Sequence, residues 1–585
     1  MNGRGLTRRE VLAAFLGMPF ALAACRTPQG GSAAAPLPEG EIVGASDGIG
    51  HLIRDGLRPE PQTWERVGVC IVGGGVAGLA AAWRFLRAGF EDFVLLELEE
   101  APGGTARSGE AHGVVPYPWG AHYLPAPLKE NRALVSLLGE MGVLEGADSE
   151  GQPVVAEQFI CRDPEERVFY RGRWYEGLYL HAGASDEDAR QLQIFNAEVD
   201  RWAGFRDAKG RRAFAIPVAN CSDDAEATAL DRVSMAEWLR QRSLNSERLR
   251  WLVDYACRDD YGLSFEQASA WAGLFYFASR MKRPGAEAQS LITWPEGNGR
   301  LVRHLYEQTR ARVRLGLAVA DVRPSEGPEG RGAAYVKSRG VRDGVESRST
   351  GAALGSSNAQ GGVEVVAVTH EGRGAFGFRA DRVVFAAPQF LSKYLIKPYR
   401  EGACPAHVAE FEYGAWMVAN LFLEDRPRQG LGFPLAWDNV LYDSPSLGYV
   451  VATHQRGLER GPTVFTYYYP LTDANPRDAR TRLLSTGRDA WADVALSDLQ
   501  RAHADIRSLT SRLDVMRWGH AMIRPRVGFQ WGGARRKAQE PYGPIHFAHT
   551  DLSGVALFEE AFDHGLRAAE EVLAARGIKS ESLRT

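Results

Sequence analysis

The chain of 585 residues carries 69 Lys and Arg against 73 Asp and Glu, which gives a formal net charge of -4. Charged residues make up 24% of the sequence, and without a basic excess the composition gives no indication of nucleic-acid binding. The length is sufficient for two domains with hydrophobic cores of their own.

The first 25 residues have the pattern of a targeting segment. Arg8 and Arg9 precede an apolar run that ends near Ala24, and this run is too short to span a bilayer as a stable helix. Paired arginines in this position resemble the signal of the bacterial Tat pathway, which exports proteins after they have folded. We therefore predict an exported protein that is recognised by the Tat export machinery.

Two processing routes remain open for this segment. Leu22-Ala23-Ala24-Cys25 resembles a bacterial lipobox, in which Cys25 becomes lipidated, whereas Ala21-Leu22-Ala23 is a small-x-small site for ordinary signal peptidase. We favour the lipoprotein, which predicts a periplasmic or membrane-anchored location through a lipid anchor. Residues 26–64 begin with a stretch rich in Pro, Gly, Ala and Ser, and we predict that they form a flexible tether.

The stretch from Val69 to Phe90 predicts a dinucleotide-binding strand and helix. A short apolar run suits a buried parallel strand, and an Ala- and Leu-rich helix pattern follows it. Between them, Gly73, Gly75 and Gly78 form the pattern G-x-G-x-x-G. The first glycine permits a tight turn, the second lets the backbone approach a pyrophosphate, and the third lets the helix pack closely on the strand.

A second apolar run, Phe93 to Leu96, leads to an acidic residue, Glu97. This carboxylate lies about 20 residues after the glycines, where the dinucleotide fold places an acid that hydrogen-bonds a ribose hydroxyl. A carboxylate here favours FAD or NAD over NADP, whose ribose is phosphorylated.

The next motifs resemble the FAD-dependent amine oxidase superfamily. This group includes amine and polyamine oxidases, L-amino-acid oxidases, protoporphyrinogen oxidase and carotene desaturases. Gly103-Gly104 match its Gly-Gly pair, and Gly120-Ala121 match its later segment beside the flavin ring. The arginine that usually follows the Gly-Gly pair is Thr105 here, so Arg107 is the candidate for contacts with the phosphates.

The resemblance returns in three later pieces of the chain. Val319 lies in a strand-like run where the family's backbone contacts the adenine end of FAD, and another strand closes on Pro388. Asp551 takes the place of the acid near the ribityl chain or pyrophosphate. The backbone around Leu557 and Phe558 is expected at the pyrimidine edge of the flavin.

The resemblance therefore implies a set of FAD-binding residues from both ends and the middle of the chain. They are Gly73, Gly75, Ala77, Gly78, Glu97, Gly103, Gly104, Arg107, Gly120, Ala121, His122, Val319, Pro388, Asp551, Leu557 and Phe558. Motifs in so many places favour FAD over NAD. Since no cysteine follows Cys404, the covalent cysteine linkage of the monoamine oxidases is not available, and we expect non-covalent FAD.

The fold that the resemblance implies is of the α/β class, with a Rossmann-like FAD-binding domain and a discontinuous α+β substrate domain. We assign residues 66–125, 296–393 and 538–577 to the FAD-binding domain and residues 126–295 and 394–537 to the substrate domain. Within the first of these, residues 324–362 are rich in Gly, Ser, Arg and Glu, and we predict a disordered, exposed insertion there.

Flavoenzymes of this kind transfer a hydride from a C–N or C–C bond to flavin N5. His122 is a candidate proton carrier, with a structural role as the alternative. Asn420 lies near the position of the family's lysine, and Trp518 is expected to line the pocket or to pack in the core. His520 and Arg524 are weaker candidates of the same kind.

The main prediction is an exported FAD-dependent oxidoreductase that oxidises an organic substrate, with an amine as one candidate. Neither a metal site nor a disulfide framework is indicated, because the cysteines are widely scattered. The electron acceptor is open between oxygen and a redox partner. One alternative is a desaturase- or isomerase-like enzyme acting on an apolar C–C substrate, which should have a long apolar tunnel instead of a carboxylate or aromatic cage. Another is a flavin-binding envelope protein without turnover.

Overall fold

The computed structural model describes residues 36–110, 115–325 and 362–584. The targeting segment, the first part of the proposed tether and nearly all of the proposed insertion at 324–362 lie outside the described residues.

The first sheet is mostly parallel around its centre and carries the dinucleotide motif. Its strands, in spatial order, are β12 (Leu317–Pro324), β13 (Val363–Thr369), β14 (Ala375–Phe385), β1 (Trp64–Val72), β2 (Phe93–Leu96) and β11 (Val313–Arg314). A further strand, β20 (Ile545–Phe547), runs parallel to the end of β14. The parallel strands β2, β1, β14 and β20 come from distant parts of the chain.

The second sheet is mixed and comes entirely from the segments assigned to the substrate domain. Its strands, in spatial order, are β19 (Thr510–Ile523), β15 (Tyr413–Leu423), β18 (Thr463–Pro470), β17 (Tyr449–Val451), β16 (Asp438–Leu441), β8 (Glu166–Tyr170) and β9 (Arg173–Glu176). Short antiparallel pairs are formed by β3 (Ser108–Glu110) with β4 (Pro116–Pro118), β5 (Tyr123–Pro125) with β10 (Leu291–Thr293), and β6 (Leu144–Ala147) with β7 (Pro153–Val155).

Helices cover the first sheet and build most of the layer that faces the second. They are α1 (Asp47–Arg54), α2 (Val76–Arg87), α3 (Arg132–Glu140), α4 (Asp186–Gly204), α5 (Ala225–Ala229), α6 (Met235–Gln241), α7 (Glu247–Tyr261), α8 (Ala270–Ala278), α9 (Gly299–Thr309), α10 (Gln389–Leu395), α11 (Pro476–Ser485), α12 (Arg488–Gln500), α13 (Ile506–Leu509), α14 (Ala534–Gln539) and α15 (Phe558–Ala575). Among the described residues, none of these helices has the length and apolarity that crossing a bilayer requires. The α/β fold with a Rossmann-like domain is confirmed.

The core beside the first sheet depends on a close approach of α15 to α2. Both helices contribute buried apolar side chains to one hydrophobic cluster with β1 and β2. They can approach because α15 carries Gly565 at the crossing, where a Cβ atom would overlap the carbonyl oxygen of Ala77 and lie 2.7 Å from the Cβ of Ala80. The last helix of the chain therefore holds the dinucleotide helix in place.

Residues 38–54 differ from the flexible tether that their composition predicts. Residues Glu39 and Ile42 form parallel bridges with β19 at the edge of the second sheet, and α1 follows directly with Ile49 and Ile53 buried. The physical reason is that the backbone of this segment satisfies the otherwise open edge of β19, which composition alone does not reveal.

Candidate cofactor and substrate site

The glycine turn between β1 and α2 has the geometry of a dinucleotide cradle. Gly73 has φ 103°, a conformation that favours glycine, and a Cβ there would lie 2.9 Å from the carbonyl oxygen of Ala386. A Cβ on Gly78 would overlap the carbonyl oxygen of Gly73, whereas one on Gly75 would meet nothing within 4 Å. The close backbone packing of the protein itself therefore requires glycine at positions 73 and 78. Gly75 instead leaves open space at the N-terminus of α2, as pyrophosphate binding requires.

Glu97 is held directly beside this turn. Its Oε2 accepts a hydrogen bond of 2.5 Å from the Gly74 amide, and its Oε1 accepts one of 2.9 Å from the Glu99 amide. Burial raises the pKa of this carboxyl, while the two amides act in the opposite direction. Each oxygen still has a lone pair for a ribose hydroxyl, so the position fits the predicted role.

The Gly-Gly pair completes the cradle on its other side. The Gly103 amide donates a 2.9 Å hydrogen bond to the Gly74 carbonyl, and both Gly103 and Gly104 have positive φ angles. Arg107 follows, with its guanidinium 3.6 Å from the Glu99 carboxylate and 5.6 Å from the centre of the Trp518 ring. Arg107 thus lies at the edge of the cradle, where its charge opposes in small part the burial that raises the pKa of Glu97.

The segment Pro118-Trp119-Gly120 is fixed by three side chains of the second sheet. Asn420 Nδ2 donates to the Pro118 carbonyl at 3.1 Å, Trp518 Nε1 to the Trp119 carbonyl at 2.7 Å, and the Tyr468 hydroxyl to the Gly120 carbonyl at 2.8 Å. We call this arrangement the carbonyl clamp. Its three side chains come from the neighbouring strands β15, β19 and β18, and it sets the position of Gly120-Ala121 between the two sheets.

The carbonyl clamp changes the interpretation of two candidate catalytic residues. The Asn420 side chain is completely buried, and its Oδ1 accepts a 2.6 Å hydrogen bond from Thr466 while Nδ2 is used in the clamp. Trp518 likewise uses its indole N–H in the clamp. The structure therefore places both residues as supports of the 118–120 segment and not as groups free to act on a substrate.

His122 lies between the carbonyl clamp and the pocket on the substrate side. Its ring stacks on Tyr468 at 4.9 Å and lies 5.3 Å from the ring of Trp437. Nδ1 is 3.3 Å from the Gly120 carbonyl, and since a carbonyl can only accept, Nδ1 carries the proton and Nε2 keeps its lone pair. Burial lowers the pKa of His122 to about 4, which makes the neutral form the stable one.

The remaining expected cofactor residues surround the same cradle at varying distance. The start of β12, which carries Val319, is joined to the cradle by a 2.8 Å hydrogen bond from the Leu317 amide to the Glu97 carbonyl. Pro388 precedes α10 at the carboxyl end of β14, next to the strand that leads into Gly73. Leu557 and Phe558 begin α15. The Phe558 side chain and Ala77 are buried in the core, so contacts to a cofactor can come only from their backbone.

Asp551 has more protein partners than its predicted role requires. It is 1% exposed, and its Oδ2 accepts hydrogen bonds from the Gln389 amide at 2.8 Å and the Tyr413 hydroxyl at 2.5 Å. Its Oδ1 lies 2.8 Å from Nδ1 of His549. The carboxylate therefore ties the start of α10 to the C-terminal motif. His520 stacks on Phe390 at 4.0 Å in the same neighbourhood.

Arg524 serves a structural purpose. It forms an ion pair with Glu412 and donates a 2.7 Å hydrogen bond to Gln267. These contacts connect β19 to segments on either side of it, away from the glycine turn.

A cluster of carboxylates lies beyond His122, and we call it the acidic pocket. Glu166 and Asp438 are neighbours in register on the parallel strands β8 and β16, and Asp259 and Asp260 end α7. Aromatic residues of the pocket are Tyr123, Tyr255, Tyr276, Trp437 and Tyr468. Glu166, Asp259 and Asp438 are only half-buried, whereas Asp260 is buried.

Asp259 is the centre of the acidic pocket. Burial raises the pKa values of the two other half-buried carboxyls, Glu166 and Asp438, and those of four surrounding tyrosines, and the charge of Asp259 contributes to each of these shifts. One of these tyrosines, Tyr468, also belongs to the carbonyl clamp. Tyr468 therefore connects the acidic pocket to the Gly120-Ala121 segment.

The guanidinium of Arg280 lies among these carboxylates. Arg280 Nη2 donates 2.8 Å hydrogen bonds to both oxygens of Asp260 and lies 3.3 Å from the Tyr123 hydroxyl. The guanidinium also covers the Tyr276 ring at 4.2 Å. Arg280 is paired with Asp260, and in the part of the chain that the structure describes neither Glu166, Asp259 nor Asp438 forms an ion pair of its own with a basic side chain.

The electrostatic consequence is a set of carboxyls that resist ionisation. Burial raises the pKa of Glu166 to about 8, and burial followed by the charge of Glu166 raises the pKa of Asp438 well above its usual value. Burial and the charge of Asp260 also raise the pKa of Asp259. Buried charges are normally paired, so a cationic ligand would supply what this pocket lacks. Within the described ranges, no group of three His, Cys, Asp or Glu side chains is arranged to hold a metal ion.

A separate small cavity lies between the end of β5 and the start of α15. It measures about 20 Å³ and is lined partly by Ser279, Gln289 and Glu559. This volume is enough for about one water molecule and too small for an organic substrate.

Sequence reasoning missed the acidic pocket almost entirely. One local signal was present: the adjacent carboxylates Asp259-Asp260 come near the end of a helix, next to Tyr261. Glu166 and Asp438 gave none, because their proximity depends on the pairing of two strands far apart in the chain. In the aromatic run from Trp271 to Phe277, Trp271 and Phe275 are buried in the core, whereas Tyr276 lies at the pocket beside Arg280.

Comparison with known proteins agrees with the fold described above. Residues 71–141 match the family of NAD(P)-binding Rossmann-like domains. A curated protein of Mycobacterium tuberculosis, named as a flavin-containing monoamine oxidase (AofH), is 28% identical over 262 residues, which are 43% of this chain and 50% of that protein. The chain thus matches the curated relatives over about half of their length.

Solved structures resemble the chain over nearly its whole length. A putrescine oxidase bound to putrescine has a TM-score of 0.59 at 18% identity and covers 88% of this chain and 100% of its own. A fatty acid isomerase from P. acnes that produces CLA has a TM-score of 0.56 at 14% identity, covering 87% and 98% respectively. At these identities the likeness shows a shared fold, and the two proteins have different chemistry.

Proposed function

We propose that the protein is an FAD-dependent oxidoreductase of the amine oxidase type and that its substrate is an amine bound as a cation. The observation that carries the substrate class is the acidic pocket near the Gly120-Ala121 segment, in which Arg280 is paired with Asp260 and the carboxyls of Glu166, Asp259 and Asp438 form no ion pair among the described residues. The resemblance of the chain to a flavin-containing monoamine oxidase supports the same class.

The residues of the cradle fit FAD. The free space at Gly75 and the open N-terminus of α2 would accept the pyrophosphate, and Glu97 would accept the hydroxyls of the adenosine ribose. The start of β12 would follow the adenine end, and the Gly120-Ala121 segment would lie beside the ring. When bound, FAD accepts two electrons and a proton equivalent from the substrate, which no side chain of the chain can do.

The acidic pocket supplies the complementary functions. Its carboxylates bind and orient the ammonium group, and the aromatic rings of Tyr123, Tyr468 and Trp437 exclude water from the substrate carbon. Because the carboxyls of Glu166 and Asp259 have raised pKa values, either can hold the proton that the ammonium must lose before it is oxidised. The neutral His122 offers Nε2 as a hydrogen-bond acceptor at the mouth of the pocket.

The test is anaerobic mixing of the purified protein with a panel of compounds while the flavin absorbance is followed. The panel contains primary amines, diamines, free fatty acids and isoprenoids. We expect bleaching by amines alone, because only these carry the charge that the acidic pocket lacks.

Three outcomes would count against the proposal in different ways. Bleaching by the fatty acids or isoprenoids and not by amines would favour the C–C chemistry of a desaturase or isomerase. A flavin that no compound bleaches would favour a binding protein without turnover. A colourless protein that takes up no FAD on reconstitution would overturn the cofactor assignment as well.

We also propose that the enzyme is exported through the Tat pathway and anchored by a lipid on Cys25. Support comes from the order of Arg8-Arg9, the short apolar run and the lipobox-like Leu22 to Cys25.

Two variants test this proposal. Exchange of both arginines for lysine should retain the protein in the cytoplasm. Cys25→Ala should leave export intact and move the protein from the membrane to the soluble periplasmic fraction. Unchanged fractionation of the two variants would contradict this proposal.

A further inference from the structure

Residues 38–46 contact both the second sheet and the dinucleotide cradle. The Leu513 and Val515 amides of β19 donate to the carbonyls of Glu39 and Glu41 at 2.7 and 2.9 Å. The Val43 amide returns a 2.9 Å hydrogen bond to the Val515 carbonyl. The first half of this segment is therefore a short additional strand on the edge of the second sheet.

An arginine from α12 locks this additional strand in place. Arg488 donates to the carbonyls of Pro38 and Glu39, the latter at 2.6 Å, and also to the Leu513 carbonyl at 2.9 Å. Gly40 passes directly over this point with φ +149°, and a Cβ on it would overlap the Leu513 carbonyl and lie 2.8 Å from Arg488 Nη2. This close packing is unlike that of a tether.

The second half of the segment contacts the dinucleotide cradle. The Ser46 amide donates to Glu99 Oε1 at 2.7 Å, and its hydroxyl donates to Glu99 Oε2 at 3.1 Å. Arg107 Nη2 lies 3.4 Å from the Val43 carbonyl, and its guanidinium is 3.6 Å from Glu99. The Glu99 amide in turn donates to Glu97, the candidate ribose ligand.

We propose that residues 38–46 form a strap that completes the dinucleotide cradle by positioning Glu99 and Arg107, and that the strap slows the release of the bound dinucleotide. The proposal rests on the proposed function in taking that dinucleotide to be FAD. Ser46 and Gly40 are then positioning residues: Ser46 orients Glu99 at the end of the strap, and Gly40 permits its docking on β19.

The experiment compares Gly40→Ala with Gly44→Ala in the full chain loaded with FAD. A Cβ at Gly44 would have Ile42 Cγ2 as its nearest neighbour, at an ordinary 3.6 Å, so this variant is the matched control. After dilution, free FAD is followed by its fluorescence. We expect the release of FAD to be about tenfold faster in Gly40→Ala and unchanged in Gly44→Ala. A tenfold change is about the size of effect that loss of one hydrogen bond to a charged group produces.

A second variant and a second readout separate cradle positioning from general stabilisation. Ser46→Ala removes only the hydroxyl bond to Glu99, so it should fold normally and accelerate release by a smaller factor. For each variant the thermal midpoint is measured with and without FAD, because a ligand raises the midpoint according to its affinity. We expect the FAD-dependent rise to shrink in Gly40→Ala and in Ser46→Ala.

If the strap only stabilises the fold, the variants should have thermal midpoints lowered equally with and without FAD. The FAD-dependent rise and the release rate would then equal those of the parent protein, and this result would overturn the proposal. If the parent chain itself takes up no FAD, the cofactor assignment fails together with the strap. If it takes up FAD and the three variants release it alike, the strap alone fails.

Discussion

The dinucleotide cradle and the acidic pocket are built by opposite means. The cradle comes from short local pieces, the β1–α2 turn, Glu97 and the Gly103-Gly104 turn, and it is defined by backbone atoms. The acidic pocket is defined by charged side chains that α7, β8, β16 and the segment after α8 contribute from separate parts of the chain. The cradle therefore depends on glycines that leave space for a ligand. The pocket depends on carboxyl groups whose charge a cationic ligand would balance.

The largest effect on stability is expected at the glycines of the cradle. Two variants there separate the requirement for close packing from the requirement for space for the ligand. Gly78→Ala drives a methyl group into the Gly73 carbonyl and should lower the free energy of unfolding by about 3 kcal/mol or more. Gly75→Ala meets no protein atom within 4 Å, so the apoprotein should keep its thermal midpoint and lose flavin affinity. We would measure the thermal midpoint and the flavin content of each variant.

This pair has a clear contrary result. If Gly75→Ala binds flavin as the parent protein does, the open space at this position does not receive the pyrophosphate. Equal destabilisation of the two variants would contradict the assignment of Gly75 to the ligand and Gly78 to packing.

In the acidic pocket the corresponding change is Asp259→Asn. Removing this charge should lower kcat/KM for a cationic amine by up to about a hundredfold, the upper end of what loss of a hydrogen bond to a charged group produces. Flavin content should stay the same, because Asp259 is not part of the cradle. Steady-state kinetics with a cationic amine provide the measurement.

Glu247→Gln is the matched control for this prediction, since Glu247 is exposed at the other end of the same helix, α7. We expect its kinetics to be unchanged. Loss of flavin from Asp259→Asn, or an equal loss of activity in the control, would contradict a pocket that acts separately from the cradle.

The pocket should also have a pH signature that the cradle lacks. The pKa of Glu166 rises on folding from 4.5 to about 8, so the folded protein binds the extra proton between these values. The stability associated with this group is therefore complete below pH 4.5 and is lost as the pH rises to about 8. A bound cation favours the ionised form, so cation affinity should increase over the same upper range, by up to about tenfold per pH unit for one proton released.

Calorimetric titration with an amine that is not oxidised, in buffers of different protonation enthalpy, measures both the affinity and the proton release. Glu166→Gln should flatten the pH profile. An affinity that does not change with pH in the parent protein would show that Glu166 does not face the cation.

The smallest effect concerns the carbonyl clamp, which joins the two regions. Tyr468→Phe removes the hydrogen bond to the Gly120 carbonyl while keeping the ring that stacks on His122. The expected loss is about 1 kcal/mol, measurable as a lower thermal midpoint and a small shift of the flavin spectrum. Tyr469→Phe, at the next position of β18, is the control and should leave the spectrum unchanged. A larger effect in the control would contradict the clamp.

The difference between the regions also explains what the sequence could reveal. Gly73, Gly75, Gly78 and Glu97 were identifiable because each is needed within one strand–turn–helix–strand unit, and their spacing is fixed by that unit. Asn420 and Trp518 were selected as candidates for the pocket, but their hydrogen bonds to backbone carbonyls of the 118–120 segment depend on the distance between the two sheets and were not predictable.

The acidic pocket and the strap could not be predicted for related reasons. Glu166 and Asp438 become neighbours only through the parallel register of β8 and β16, which nothing near either residue in the chain determines. Residues 38–46 have the composition of a linker, and their order comes from the free edge of β19 and from Arg488. Both depend on contacts between distant segments.

The edge pairing of Glu39, Glu41 and Val43 with β19 has a mechanical consequence. Because the segment lies alongside β19, a pull on the chain before residue 38 would act along this pairing and load its backbone hydrogen bonds together rather than one after another. Shear of this kind resists force better than peeling, and Arg488 adds bonds at the point where the load enters. Tension on the N-terminal side would thus be borne by the second sheet before it reached Ser46 and the cradle.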